Sequence, residues 1–225
     1  MSKDTGMEQD LKELKAFLDE KVAQYNNPKF IELDPIQIPH SYTVKEDIEI
    51  SGFLAATIAW GNRTSIVKNA KRMLAPMGES PYDFICNHRE HHLKRFDGFV
   101  HRTFNSLDLL TFIEGLKHLY KDKNGLEGIF VKYQTHDSLQ PAIHELKKEF
   151  FNIPHPERTR KHLSDPMTGS AAKRINMFLR IIKVAVNQSK LVHLDSTRLL
   201  NPLFHPHKPQ NPQNPSALQS SCHSL

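Results

Sequence analysis

The chain has 225 residues, 38% of them hydrophobic and 24% charged, with a formal net charge of +5 at pH 7. This composition is typical of a globular protein with a sizeable core, and no apolar run predicts a membrane span or a secretory signal. Two cysteines, Cys86 and Cys222, without a CxxC pair are too few for a disulfide framework, so we expect a cytoplasmic protein.

The net charge is unevenly distributed along the chain. Residues 181–225 carry +3 of it and residues 1–180 only +2. A surface that binds nucleic acid must therefore be a local basic patch, because the body of the protein is nearly neutral.

The spacing of apolar residues predicts helices along most of the chain and no strand with an alternating pattern. The first predicted helix covers residues 8–25, with Leu11, Leu14, Leu18, Val22 and Tyr25 on one side. A helix over residues 45–59, nearly all apolar after Glu49, is expected at the centre of the core. The predicted fold class is all-α, a multi-helix orthogonal bundle, with further helices over residues 64–74, 81–86, 106–120, 125–133 and 137–151 and from residue 171 onward.

A polar turn, Trp60-Gly-Asn-Arg63, follows the central helix. Asn62 and Arg63 could contact a ligand or simply cap the next helix, and Trp60 could stack on a base or belong to the core. The next helix turns Lys68, Lys71 and Arg72 outward, as a phosphate-binding face or an ordinary solvated one.

A second turn precedes the last predicted helix. Asp165-Pro166 and Thr168-Gly169 are turn dipeptides, and the apolar spacing then predicts a helix from Ala171. Lys173 would lie in its first turn, where free N–H groups and the helix dipole favour an anion such as phosphate. The alternative is a solubilising lysine on an exposed helix.

Histidines are clustered at positions 88, 91 and 92, with His101 further on. No HExxH or Cys–His pattern accompanies them, and the sequence contains no Gly-rich nucleotide loop. We therefore predict neither a metal site nor a cofactor.

The composition changes after about residue 190, where Pro, Asn, Gln, Ser and His dominate without a helical period. Such a segment cannot bury enough apolar surface to offset the entropy of ordering it. The sequence thus predicts a helical domain over residues 1–190 and a disordered low-complexity tail over 191–225. The abrupt change suggests a tail not native to the rest of the chain, as a shifted reading frame would produce.

Several long motifs occur in an order that resembles a bacterial family of conserved proteins of unknown function. They include the run LAATIAWGNR that ends the central helix. The resemblance covers about residues 8–180, and its motifs are residues 34–40, 45–63, 80–84, 95–105, 137–142 and 164–180.

That family is in turn remotely similar to the helix-hairpin-helix DNA glycosylases. Residues 59–63 resemble the polar turn that approaches a DNA lesion, and residues 169–176 resemble the hairpin and lysine helix, with Lys173 and Asn176 at matching positions. The resemblance implies double-stranded DNA as the partner and Lys173 as a nucleophile that forms a Schiff base with a flipped nucleotide. With the basic face added, the candidate DNA contacts are Trp60, Asn62, Arg63, Lys68, Lys71, Arg72, Gly169, Ser170, Arg174 and Asn176.

These glycosylases place an essential aspartate after the lysine helix. Full-length relatives carry it in a Pro-Leu-Asp-Val-His segment that this chain lacks, so Asp195 is the catalytic candidate, and a truncated, inactive form is one expectation. The other hypothesis is a non-catalytic helical interaction module. A carboxylate near Lys173, from Asp165 or Asp195, would separate the two. The sequence indicates no oligomeric state.

Overall fold

The computed structural model describes residues 3–25, 31 and 34–189, and its secondary structure is mostly helical. The predicted all-α class is confirmed, whereas Asp195 and the predicted tail lie outside the described residues. The helices are α1 Lys3–Tyr25, α2 Lys45–Thr57, α3 Arg63–Leu74, α4 Pro81–Asn87, α5 Glu90–Leu93, α6 Ser106–Asp122, α7 Gly125–Tyr133, α8 Gln140–Phe150 and α9 Lys173–Ser189.

Short elements connect these helices. Two-residue strands β1 Val100–His101 and β2 Phe104–Asn105 form an antiparallel hairpin that the sequence did not predict. Six 3₁₀ segments lie at Pro35–Gln37, Pro39–Ser41, Ala75–Met77, Lys94–Phe96, Glu157–His162 and Pro166–Thr168. None of the helices that the structure describes has the length and apolar character needed to cross a membrane.

Helix α2 forms the centre of the core, as its apolar sequence predicts. Every residue from position 47 to position 57 is buried, and α9 packs along it. The ring of Phe53 lies 5.9 Å from that of Phe112, 5.7 Å from Phe150 and 5.5 Å from Phe178, measured between centroids. Side chains of α6, α8 and α9 therefore meet on one residue of α2.

The buried carboxylate of Glu49 ties α2 to its neighbours. Glu49 accepts a hydrogen bond from the Tyr120 hydroxyl (2.7 Å) and pairs with Lys45 (2.8 Å), which also pairs with Glu127 (2.9 Å). Burial alone would lower the pKa of Lys45, but the two carboxylates overcome it and raise that pKa. This network joins α2 to α6 and α7 through satisfied polar groups.

Helix α9 begins two residues later than the sequence predicts. Ala172 has a φ of +44°, a left-handed conformation that cannot continue a right-handed helix backward. The Ser170 hydroxyl accepts the Ala172 N–H at 3.2 Å. Lys173 is therefore the first residue of α9 and lies in its first turn.

Candidate nucleic-acid interface

Trp60 follows α2 and is the meeting point of three distant segments. His162 stacks nearly parallel to the indole, at 16° and 6.1 Å between centroids, and His101 meets it edge-on at 5.3 Å. The guanidinium carbon of Arg174 lies 5.0 Å from the ring centroid, within cation–π range. We call these four residues the Trp60 cluster.

Hydrogen bonds to the backbone hold two of these neighbours in place. Arg174 donates to the carbonyl oxygens of Thr57 (3.1 Å) and Lys161 (3.3 Å). His101 accepts from the Asn69 amide at Nδ1 (3.1 Å), and its Nε2 donates to the Trp60 carbonyl oxygen (3.3 Å). These contacts match the Nε2–H tautomer of His101, and the end of α2 is fixed to α3, β1 and α9.

The residue after Trp60 must be glycine for this approach. Gly61 has a φ of +109°, and a Cβ at this position would lie 2.8 Å from Nε of Arg102. Arg102 itself has a φ of +55° in the turn between β1 and β2. The hairpin therefore brings an arginine side chain directly against the polar turn.

A buried carboxylate lies under the cluster. Asp108 is fully buried, accepts from the Thr159 hydroxyl (2.8 Å) and pairs with Arg158 Nη2 (3.3 Å). Nε2 of His162 is 3.4 Å from Asp108 Oδ2, close enough for attraction but not aligned for a hydrogen bond. Burial lowers the pKa of His162, and the charge of Asp108 opposes this only in part.

Three exposed cations are each next in sequence to a residue that contacts the Trp60 ring. Their charged groups make no hydrogen bond or ion pair with any residue that the structure describes. Because the carboxylate of Asp108 is buried and already paired, we expect this surface to be positive. The three, which we call the cation triad, are Arg102 beside His101, Lys161 beside His162, and Lys173 beside Arg174.

The predicted contacts in the polar turn have structural partners. Asn62 caps α3, because its Oδ1 accepts the Ser65 N–H at 3.3 Å. Arg63 lies with its Nε 3.7 Å from Asp34 Oδ2. The structure thus favours the capping alternative for Asn62, while Trp60 packs against the core at its edge.

The predicted basic face on α3 is only partly available. Arg72 donates to the Gly98 carbonyl (2.9 Å) and lies 5.5 Å from the centre of the Phe99 ring, so it braces the loop before β1. Lys71 lines a cavity of about 270 Å³ between α3 and the first two 3₁₀ segments. Lys68 is exposed and adjacent to Asn69, which bonds His101.

The turn before α9, residues 165–172, supplies no carboxylate that pairs with Lys173. Asp165 caps the 3₁₀ segment by accepting the Met167 N–H (2.9 Å) and pairs with Nδ1 of His144 (3.0 Å). Gly169 has a φ of +83° and open space around its Cα. Among the described residues, no acidic side chain forms an ion pair with the exposed Lys173.

Asn176 forms a hydrogen bond with the turn that precedes α9. Its Nδ2 donates to the Ala171 carbonyl at 3.0 Å, and its Oδ1 is enclosed without a partner in the described part of the chain. Asn176 therefore braces the start of α9.

Sequence reasoning missed four residues of this surface. His101 was considered only as a metal ligand, yet residues 3–25 and 34–189 contain no group of three side chains suited to holding a metal. The signal that could have found part of the surface is the basic run over residues 158–162. The missed residues are His101, Arg102, Lys161 and His162.

A model of proteins of unknown function, DUF2400, matches residues 34–184. The chain belongs to the DUF2400 family. The match includes the Trp60 cluster and the cation triad, whereas α1 lies outside it. No curated protein and no solved structure matches the chain. The predicted membership of an uncharacterised family is confirmed, and the similarity of DUF2400 proteins to glycosylases stays a prediction.

Proposed function

We propose that the surface around Trp60 binds the phosphate backbone of double-stranded DNA. The observation that carries the proposal is the cation triad. Its three exposed charges lie in the β1–β2 turn, a 3₁₀ segment and α9, each is next in sequence to a residue of the Trp60 cluster, and none has a partner among the described residues. Phosphate contacts supply most of the non-specific affinity of proteins for DNA. Several separate cations suit a polyanion better than they suit a single carboxylate.

The start of α9 adds to the attraction for phosphate. Its first N–H groups and its dipole favour an anion beside Gly169, Ser170 and Lys173. Arg174 is tied to two carbonyl groups and the indole, so its proposed role is to position the surface. Lys68 extends the basic surface along α3.

We further propose lysine chemistry on DNA, which rests on the resemblance of residues 169–176 to a glycosylase hairpin. The amine of Lys173 would attack C1′ of an abasic sugar and form a Schiff base with loss of water. Asp165 is engaged by His144, and Asp195 lies outside the described residues. The geometry therefore supports the DNA-binding step more directly than the chemical step.

One experiment separates binding from chemistry. The chain is mixed with duplex DNA that contains an abasic site, borohydride is added, and a covalent adduct is sought beside a Lys173→Ala control. An adduct that the control lacks supports both steps, and salt-dependent binding without an adduct supports the first alone. The absence of both contradicts the proposal and leaves the interaction module, which the exposed apolar side of α1 favours.

A further inference from the structure

Helix α1 exposes an apolar side that no described residue covers. Five large hydrophobic side chains on it are each between 51% and 60% exposed. An isolated helix is marginal in water, and most helices are stabilised by burying such a side. A partner for α1 is therefore expected, and the five side chains are Leu11, Leu14, Phe17, Leu18 and Val22.

The exposed side chains follow a heptad pattern. With Leu11 and Leu18 at a and Leu14 at d, Phe17 falls at g and Val22 at e. All five therefore lie on the four positions that face a partner helix in a coiled coil. The outward positions b, c and f are charged, polar or small: Gln9, Lys12, Glu13, Ala16, Asp19, Glu20 and Ala23.

We propose that α1 pairs in parallel and in register with α1 of a second copy of this chain. In a parallel pair each g position faces the e position five residues on in the other helix. Asp10 would then face Lys15 of the second copy, and Phe17 would face Val22.

The same pattern limits the strength of the pair. Lys21 falls at the third d position, and it lies 5.3 Å from the centre of the Phe17 ring in the structure. The charged Lys21 thus interrupts the apolar residues at a and d, which are Met7, Leu11, Leu14, Leu18 and Tyr25. Because stable interfaces bury roughly 1,200 Å² or more, we expect a weak dimer that depends on protein concentration.

Light scattering on the full chain over a range of concentrations tests the pairing. The mass should rise from 25.9 kDa toward twice that value as concentration increases. Leu14→Glu/Leu18→Glu should stay monomeric, whereas Ala16→Glu on the opposite side should dimerise like the parent. A monomer at every concentration, or a dimer that survives the double substitution, would overturn the proposal.

Two further measurements test which partner covers the apolar side of α1 and whether the two helices run parallel. Leu11→Cys in a Cys86→Ser/Cys222→Ser background should give a disulfide-linked dimer on oxidation, because a positions face each other only in the parallel pair. The absence of the link overturns the parallel arrangement. A melting temperature for Leu14→Glu/Leu18→Glu several degrees below the monomeric parent would show that α1 packs on its own body, which also overturns it.

Discussion

The guanidinium of Arg174 lies 5.0 Å above the indole of Trp60 and donates to the carbonyl that ends α2 at Thr57. This side chain adds a polar link between α9 and α2, which also pack together through Phe178 and Phe53. Arg174→Lys keeps the charge but cannot reach both the Thr57 and Lys161 carbonyls. We expect it to lower the free energy of unfolding by about 1–3 kcal/mol. Urea unfolding checks this, with Lys173→Ala as a control expected to change stability by less than about 0.5 kcal/mol.

A substitution at Gly61 should have two effects that can be measured separately: backbone strain, because its φ is positive, and displacement of Arg102, which lies beside it. Gly61→Ala and Gly78→Ala both force a side chain into a glycine conformation, at a cost of about 1–3 kcal/mol each. Only the Gly61 change displaces Arg102, because the added Cβ at Gly78 meets nothing within 4 Å. Unfolding and DNA titration should therefore show similar stability losses but weaker DNA binding for Gly61→Ala alone. Equal affinities would contradict the placement of Arg102 in the interface.

Protonation of His162 should couple stability to pH. Its pKa in the folded protein is lowered from 6.5 by burial, despite Asp108, so the unfolded chain binds the proton more tightly. The contribution of His162 to the free energy of unfolding is then fully present above pH 6.5. It is lost as the pH drops toward the pKa of His162 in the folded protein, by at most about 1.4 kcal/mol per pH unit. Urea unfolding at several pH values measures this slope.

Two histidine variants test whether the pH dependence of stability comes from His162. His162→Gln should flatten the acid limb, whereas His40→Gln, which removes another histidine whose pKa burial lowers, should leave the His162 contribution intact. An unchanged slope in His162→Gln would contradict the assignment.

The Tyr120 hydroxyl should stabilise the buried carboxylate of Glu49. Tyr120→Phe removes a 2.7 Å hydrogen bond and leaves the carboxylate with Lys45 as its remaining partner, which we expect to cost about 1–3 kcal/mol. Tyr42→Phe is the control, since its hydroxyl makes no hydrogen bond with a described residue. Thermal or urea unfolding compares the two, and equal stabilities would show that the hydrogen bond contributes little.

Apolar spacing and caps were enough to predict most of the helices. The residues of α2 after Glu49 are mostly apolar, and Asn62 at the start of α3 has the side chain that caps a helix. The predicted span of α7 agrees with the structure at both ends. These features depend on neighbours in the sequence, so the sequence alone contains them.

The Trp60 cluster could not be predicted in the same way. His101 and His162 reach the indole only because β1 and a 3₁₀ segment pack against the end of α2, and no local pattern encodes that approach. The predicted start of α9 was also two residues early, because Ala172 has a left-handed conformation that the high helix propensity of alanine does not predict.

DNA affinity as a function of salt tests the central claim most directly. Alanine replaces either the cation triad or three exposed cations that do not contact the Trp60 cluster, Arg95, Lys121 and Lys132, so both variants lose the same charge. The interface predicts that only the first variant binds duplex DNA weakly, with a salt slope reduced by roughly three, about one per lost phosphate contact. Equal weakening of both variants, or no binding by the parent chain, would contradict it.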